Sequence, residues 1–173
     1  MEKIDILKAA TDWAKAEVFS STFFIIFGVM FILASIGFWQ LGKSDLAKAY
    51  IIPTIVAGIL LLAVGVGIFY ANNSRVTSFA KDYKIDSTEF VKTELIRTKK
   101  TIEEYNLVVF KIIPSLLVVF SLIIIFIDKS NWRASMITSI AMLVMILFVD
   151  SNAKTRLEFY NNQLNLQVEQ VKD

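Results

Sequence analysis

The chain alternates between long apolar runs and charged segments. Four runs hold almost no charged residue, and they cover residues 19–41, 51–70, 107–127 and 134–149. An α-helix rises about 1.5 Å per residue, so roughly 20 residues cross a hydrocarbon core of about 30 Å. The fourth run is the shortest, and Asn131 with Trp132 would complete it at the interface. The pattern predicts an all-α membrane protein whose four transmembrane helices form two hairpins.

The positions of Lys and Arg predict how these spans are oriented. The short turns after the first and third runs hold four basic residues, and the remaining 14 of the 18 lie on the opposite side. Lys and Arg accumulate on the cytoplasmic side of membrane proteins. Both termini and the middle segment are therefore expected in the cytoplasm. The frequent Ile, Lys and Asn suggest a bacterial source, so the expected location is the bacterial cytoplasmic (inner) membrane.

The segments outside the spans have helical spacing. After the second run one helical face repeats at steps of four, three and four: Asn72, Val76, Phe79 and Tyr83. Asp86-Ser87-Thr88-Glu89 is typical of a capping box that starts a new helix. A similar apolar stripe lies near the N-terminus: Ile6, Ala10, Trp13 and Ala14.

Together these patterns predict five segments along the chain. They are an N-terminal amphipathic or interfacial helix (1–18), a transmembrane hairpin (19–71), a cytoplasmic helical hairpin (72–106), a second transmembrane hairpin (107–150) and a cytoplasmic C-terminal helix (151–173).

A heptad-like apolar seam runs along the predicted cytoplasmic helices. Within each helix its members follow one another at steps of three, four or seven, as in coiled coils. We interpret the seam as a docking or homo-oligomer surface, with packing inside one chain as the alternative. Its residues are Val91, Leu95, Ile102, Tyr105, Leu157, Leu164 and Val168.

The two hairpins resemble each other, which indicates a parallel internal repeat. Both outer turns contain Lys-Ser followed by Asp or Asn, as Lys43-Ser44-Asp45 and Lys129-Ser130-Asn131. Both second spans end in a similar polar exit motif, represented by Asn72, Asn73 and Arg75 in one hairpin and by Asn152 and Lys154 in the other. Polar membrane exits also look alike by chance, so coincidence is the alternative.

Few ionisable residues approach the spans. Glu17, Lys111 and Asp150 lie near the cytoplasmic boundary, where they would form a charge cluster, with interfacial solvation as the alternative. Pro114 is expected to kink the third span, because proline removes a backbone donor. Small residues on the second span predict a helix-packing face: Ala63, Gly67 and Ala71.

Composition narrows the function classes further. Hydrophobic residues make up 55% of the 173 residues, and there is neither Cys nor His. Thiol chemistry, the commonest general base and the usual transition-metal ligands are therefore excluded. The chain contains no glycine-rich phosphate loop, and its net charge of +2 does not favour nucleic acid as a partner. We expect no enzyme activity, no cofactor and no bound metal.

The predicted function is that of a scaffold, sensor or immunity-type interaction protein in the lipid bilayer. It would recognise itself, or a cytoplasmic or membrane protein, through its cytoplasmic helical face. The alternative is an oligomeric channel or a membrane-perturbing effector of a bacterial defence system. Four polar positions in the spans would line such a pore: Ser115, Ser121, Thr138 and Ser139.

Overall fold

A computed structural model describes residues 5–170 of the protein, which form helices and no strand. Residues 1–4 and 171–173, the outer ends of the two predicted terminal segments, lie outside the described residues. The helices are α1 (Ile6–Leu41), α2 (Asp45–Ala49), α3 (Ile51–Ile85), α4 (Ser87–Glu104), a π-helical segment (Tyr105–Ile112), α5 (Ile113–Phe126) and α6 (Ser130–Gln170).

These elements join into four long rods. α1 is the first, α2 with α3 the second, α4 with the π-helical segment and α5 the third, and α6 the fourth. Each rod contains one of the predicted apolar runs and continues well beyond it on one side. All four are long and apolar enough to cross a membrane, as in a multi-pass membrane protein.

Glycines allow α1 and α3 to approach each other closely. A Cβ atom on Gly28 would lie 2.9 Å from the Gly58 carbonyl oxygen, and one on Gly58 would lie 2.8 Å from the Gly28 carbonyl oxygen. A Cβ atom on Gly65 would meet Phe24 and Ile25 at 2.9 Å. Small residues at these positions let the two backbones pack with little space between them.

The predicted packing face on the second span lies elsewhere on α3. Ala63, Gly67 and Ala71 are exposed, and no atom lies within 4 Å of a Cβ atom built on Gly67. Gly58, Leu61 and Gly65 face α1 instead. Residues 65 and 67 are two positions apart, so they lie on nearly opposite sides of a helix with 3.6 residues per turn. Within the described chain, the predicted face therefore packs against no other helix.

Outside the predicted spans, the rods form an extramembrane unit (residues 6–18, 71–106 and 150–170) with its own hydrophobic core. Trp13, Phe79, Phe90, Leu157 and Tyr160 are all buried there. Thr98 connects α4 to α6, because its hydroxyl donates to Asn161 Oδ1 at 2.8 Å. The apolar stripe predicted near the N-terminus supplies the α1 side of this core.

The predicted start of a helix after Asp86 is confirmed. Asp86 is the N-cap of α4, and its Oδ1 atom accepts hydrogen bonds from the backbone N–H groups of Thr88 and Glu89, both at 2.9 Å. These bonds satisfy two of the donors that a helix N-terminus leaves unpaired.

The third rod widens just before Pro114. The π-helical segment ends at Ile112, and Pro114 lies in the first turn of α5. Proline has no N–H and its ring clashes with the preceding turn, so regular α-helical bonding cannot continue through it. π-helical turns are a usual way for a helix to accommodate such an interruption.

Candidate functional site

A polar cavity of about 150 Å³ lies where the four rods leave the predicted spans. Phe24, Ile68 and Val149 close its span side. The remaining walls are mostly polar or charged, and every rod contributes to them. These lining residues are Trp13, Glu17, Ser20 and Ser21 from α1, Asn72 and Arg75 from α3, Arg97 and Thr101 from α4, Tyr105 from the π-helical segment, and Asp150 and Ala153 from α6.

An ion pair between α1 and α6 forms one wall of the cavity. Arg156 donates to Glu17 Oε1 from Nη2 at 3.0 Å and from Nε at 3.3 Å, and to the Ser20 hydroxyl at 2.6 Å. Glu17 is only 6% exposed. Burial raises the pKa of Glu17, and Arg156 opposes that shift by charge and hydrogen bonding. The ion pair therefore offsets part of the cost of burying the Glu17 carboxylate.

A second network joins α4 to α6 and α1. Glu94, which is buried, accepts from Arg97 Nε at 2.8 Å and Nη2 at 2.6 Å, and from the Tyr160 hydroxyl at 3.1 Å. Burial and the Glu94 charge raise the pKa of Tyr160, so the phenol stays protonated as a donor. Trp13 stacks on Tyr160 with centroids 5.5 Å apart, and the Arg97 guanidinium carbon lies 4.4 Å from the Trp13 ring centroid.

Two donor groups at the cavity are left without a strong partner. Arg75 donates from Nη1 to Asn72 Oδ1 at 2.7 Å and pairs with no carboxylate among residues 5–170. Burial, and then the neighbouring Arg97 charge, lowers the pKa of Arg75, and the charges of Glu94 and Glu17 partly oppose this shift. Trp13 is 8% exposed, and its buried Nε1–H has no hydrogen-bond partner within the described part of the chain. A buried donor without an acceptor is energetically costly.

Two members of the predicted charge cluster meet at this cavity. Glu17 and Asp150 both line it, whereas Lys111 is exposed and is not part of its wall. Arg156 provides the base that pairs with Glu17. Lys111 lies in the π-helical segment, where the helical turn is wider than in an α-helix, and this turn determines the direction of the Lys111 side chain.

The exit motif divides between the cavity and the surface. Asn72 and Arg75 line the cavity, while Asn73 and Asn152 are exposed. Lys154 pairs with Glu158 at 3.3 Å and lies 4.7 Å from the Phe110 ring centroid. Asn72 and Asn152 nevertheless behave alike, since each donates to the carbonyl four residues earlier, at 3.0 and 2.9 Å. Asn165 makes the same bond to Asn161 at 2.9 Å, so this bond is not specific to the exit motif.

The predicted seam lies mostly within the extramembrane core. Val91, Leu157 and Leu164 are buried, and four further members are partly buried against them: Leu95, Ile102, Tyr105 and Val168. Val91, Leu95 and Val168 also line a groove, described below, that no other part of the described chain fills. Intramolecular packing thus accounts for most of the seam, and an open part remains at its far end.

Sequence reasoning missed Arg97, Arg156 and Tyr160 as parts of the site. A signal for the arginines was present in the composition. The chain has 14 lysines and only four arginines, and three of the four (Arg75, Arg97 and Arg156) converge on this cavity or its wall. Arginine is the preferred cation for buried ion pairs, because its planar guanidinium offers five donors and is weakly hydrated.

The Asp150 carboxyl predicts a pH dependence of stability. Burial, and then the Glu17 charge, raises the pKa of Asp150 from 3.8 to about 7. The folded state binds the Asp150 proton more tightly than the unfolded chain does. Protonated Asp150 therefore stabilises the fold fully below about pH 4, and this stabilisation is lost as the pH rises to about 7. The full pKa difference of Asp150 would correspond to about 4 kcal/mol of unfolding free energy, and the partial exposure of the side chain reduces this to the order of 2 kcal/mol.

Thermal unfolding in detergent at pH 5 and pH 8 checks this expectation. Wild-type protein should be less stable at pH 8, and Asp150→Asn should remove most of that difference because amides do not titrate. Asp82→Asn, on the exposed side of α3, is the matched control and should keep the wild-type pH dependence. An Asp150→Asn protein that retains it would contradict the assignment.

No protein-family model, curated protein or solved structure matches this chain.

Proposed function

We propose that the protein is a non-catalytic interaction protein of the bacterial inner membrane. Its extramembrane unit faces the cytoplasm and acts as a scaffold, sensor or immunity-type module that binds a protein partner. The observation that carries this proposal is an open apolar groove of about 350 Å³ at the end of the unit farthest from the spans.

The groove has the character of a helix-binding site. Tyr83, Val91, Leu95 and Val168 give it apolar walls contributed by α3, α4 and α6. Amphipathic helices commonly dock in such grooves through their apolar faces. Lys92 is the one charged residue among the described residues that line it. The complementary partner is therefore an amphipathic helix with an acidic residue beside its apolar stripe.

To test this proposal, the tagged protein is purified from its own membranes in mild detergent, and the mass of the purified complex is measured. We expect a heteromeric complex that Lys92→Glu weakens at least tenfold, because the new carboxylate would repel the acidic residue of the partner. Lys100→Glu is the matched control. Lys92 and Lys100 are both exposed on α4, and each is 3.9 Å from one glutamate of the same helix. Equal loss or equal retention of the partner in the two variants would contradict the proposal.

A homo-oligomer without a second protein would favour the alternative, an oligomeric channel or membrane-perturbing effector. Ion flux through protein-loaded liposomes would then be the decisive measurement. Among the polar span residues that such a pore would use, Ser115 and Ser121 are exposed and donate to the carbonyls of Lys111 and Leu117. Thr138 is buried.

A further inference from the structure

We propose that the cavity between the spans and the extramembrane unit is a binding site for a phosphate group. The ligand is either the headgroup of an anionic phospholipid or a free phosphate ion, which share the same chemistry. This inference concerns a different surface from the helix-binding groove and does not depend on it.

One of the three arginines at the cavity forms no ion pair with a carboxylate of the described residues. Arg97 is neutralised by Glu94, and Arg156 by Glu17. Arg75 is half buried beside Arg97 and forms no ion pair among residues 5–170, and the Glu94 and Glu17 charges act on it only from beyond ion-pair distance. Asp150 lines the same cavity but forms no ion pair with Arg75. An anion near Arg75 would supply the missing charge.

Two residues of the cavity wall have unused donors. The Arg75 guanidinium has five N–H donors, and one of its nitrogens is used by Asn72. The Trp13 Nε1–H lacks an acceptor, and Trp13 forms part of the cavity wall. Phosphate oxygens are strong acceptors and would satisfy both groups at once. The cavity volume of about 150 Å³ is several times what a single water molecule needs, and it accommodates a tetrahedral phosphate.

The position of the cavity explains why a lipid is one source of the phosphate. Its apolar wall, formed by Phe24, Ile68 and Val149, adjoins the ends of the predicted spans, where lipid headgroups lie. Basic residues next to transmembrane helices commonly recognise anionic headgroups. Arginine is well suited to phosphate, because its planar guanidinium can donate two parallel hydrogen bonds.

Trp13 fluorescence offers a direct binding measurement on the full-length protein in detergent. Trp39→Phe and Trp132→Phe, both at exposed positions, leave Trp13 as the one tryptophan. The protein is titrated at constant ionic strength with short-chain phosphatidylglycerol, with inorganic phosphate, and with the matching diacylglycerol, which lacks phosphate. We expect a saturable change with the phosphatidylglycerol and none with the diacylglycerol. A response to inorganic phosphate as well would identify the phosphate group alone as sufficient.

The variants Arg75→Gln and Lys84→Gln in the single-tryptophan protein connect the signal to the cavity. Arg75→Gln should weaken binding at least tenfold. Lys84→Gln removes an exposed charge from the same helix and should leave it unchanged. Equal affinities in these two variants would overturn the proposal. If Arg75→Gln does not fold, the single-tryptophan protein without this substitution still tests the proposal. If its fluorescence shows no saturable response to phosphatidylglycerol or to inorganic phosphate, the proposed site is overturned. This outcome is independent of the result for the helix-binding groove.

Discussion

Replacing Gly58 with leucine is expected to lower the free energy of unfolding by about 3 kcal/mol. A Cβ atom at this position would lie 2.8 Å from the Gly28 carbonyl oxygen and 2.7 Å from Ile32 Cγ1. The Gly28 oxygen belongs to the backbone of α1 and cannot move without shifting the helix. The larger side chain must therefore separate α1 from α3 along the closest part of their contact.

Gly67→Leu is the matched control for this substitution. Gly67 lies on the same helix and within the same predicted span, but no atom lies within 4 Å of an added Cβ atom. Leucine also has a higher helix propensity than glycine. The control should therefore be as stable as the wild type or slightly more so. Unfolding by sodium dodecyl sulfate in mixed micelles, followed by tryptophan fluorescence, measures both variants. Equal stability of the two variants would show that the close approach of α1 and α3 contributes little.

The helical class and the approximate positions of the four long apolar helices could be predicted from the sequence, because they depend on local pattern. A run of about 20 apolar residues and a capping sequence at Asp86 are properties of neighbouring residues. The sequence did not predict which face of α3 packs against α1. Several small residues occur at similar spacing on that helix, and only the position of α1 selects Gly58 and Gly65 over Gly67. Inside a membrane, hydrophobicity does not distinguish the buried side of a helix from the side that contacts lipid.

The cavity depends on residues far apart in the sequence, which is why only part of it was foreseen. Glu17 and Arg156 are separated by 139 positions, and Tyr160 and Glu94 by 66. Proximity to the ends of the spans was enough to select Glu17 and Asp150. The same criterion selected Lys111, which is exposed, because closeness to a boundary does not specify which side of a helix a residue occupies. The partners Arg97 and Arg156 required knowledge of how α4 and α6 pack.

Replacing Arg156 with methionine is expected to lower the free energy of unfolding by about 3 kcal/mol, measured by the same detergent unfolding. The substitution preserves much of the side-chain volume but leaves the Glu17 carboxylate buried without a counterion. The loss should be smaller at pH 5 than at pH 8. Without Arg156, burial raises the pKa of Glu17 further, and its protonated form, favoured at low pH, has no charge to neutralise.

The double variant Glu17→Met/Arg156→Met separates the ion pair from the packing of its side chains. It should regain part of the stability lost by Arg156→Met, because no buried charge remains, and it should lose the pH dependence that is due to Glu17. Lys154→Met is the control, because Lys154 pairs with the half-exposed Glu158. This substitution should lower the free energy of unfolding by less than about 1 kcal/mol. If the single and double variants were equally unstable at pH 8, the cost would come from lost packing of the arginine stem. An unpaired Glu17 would then not limit the stability of this junction, and water reaching the cavity would be solvating the carboxylate in place of Arg156.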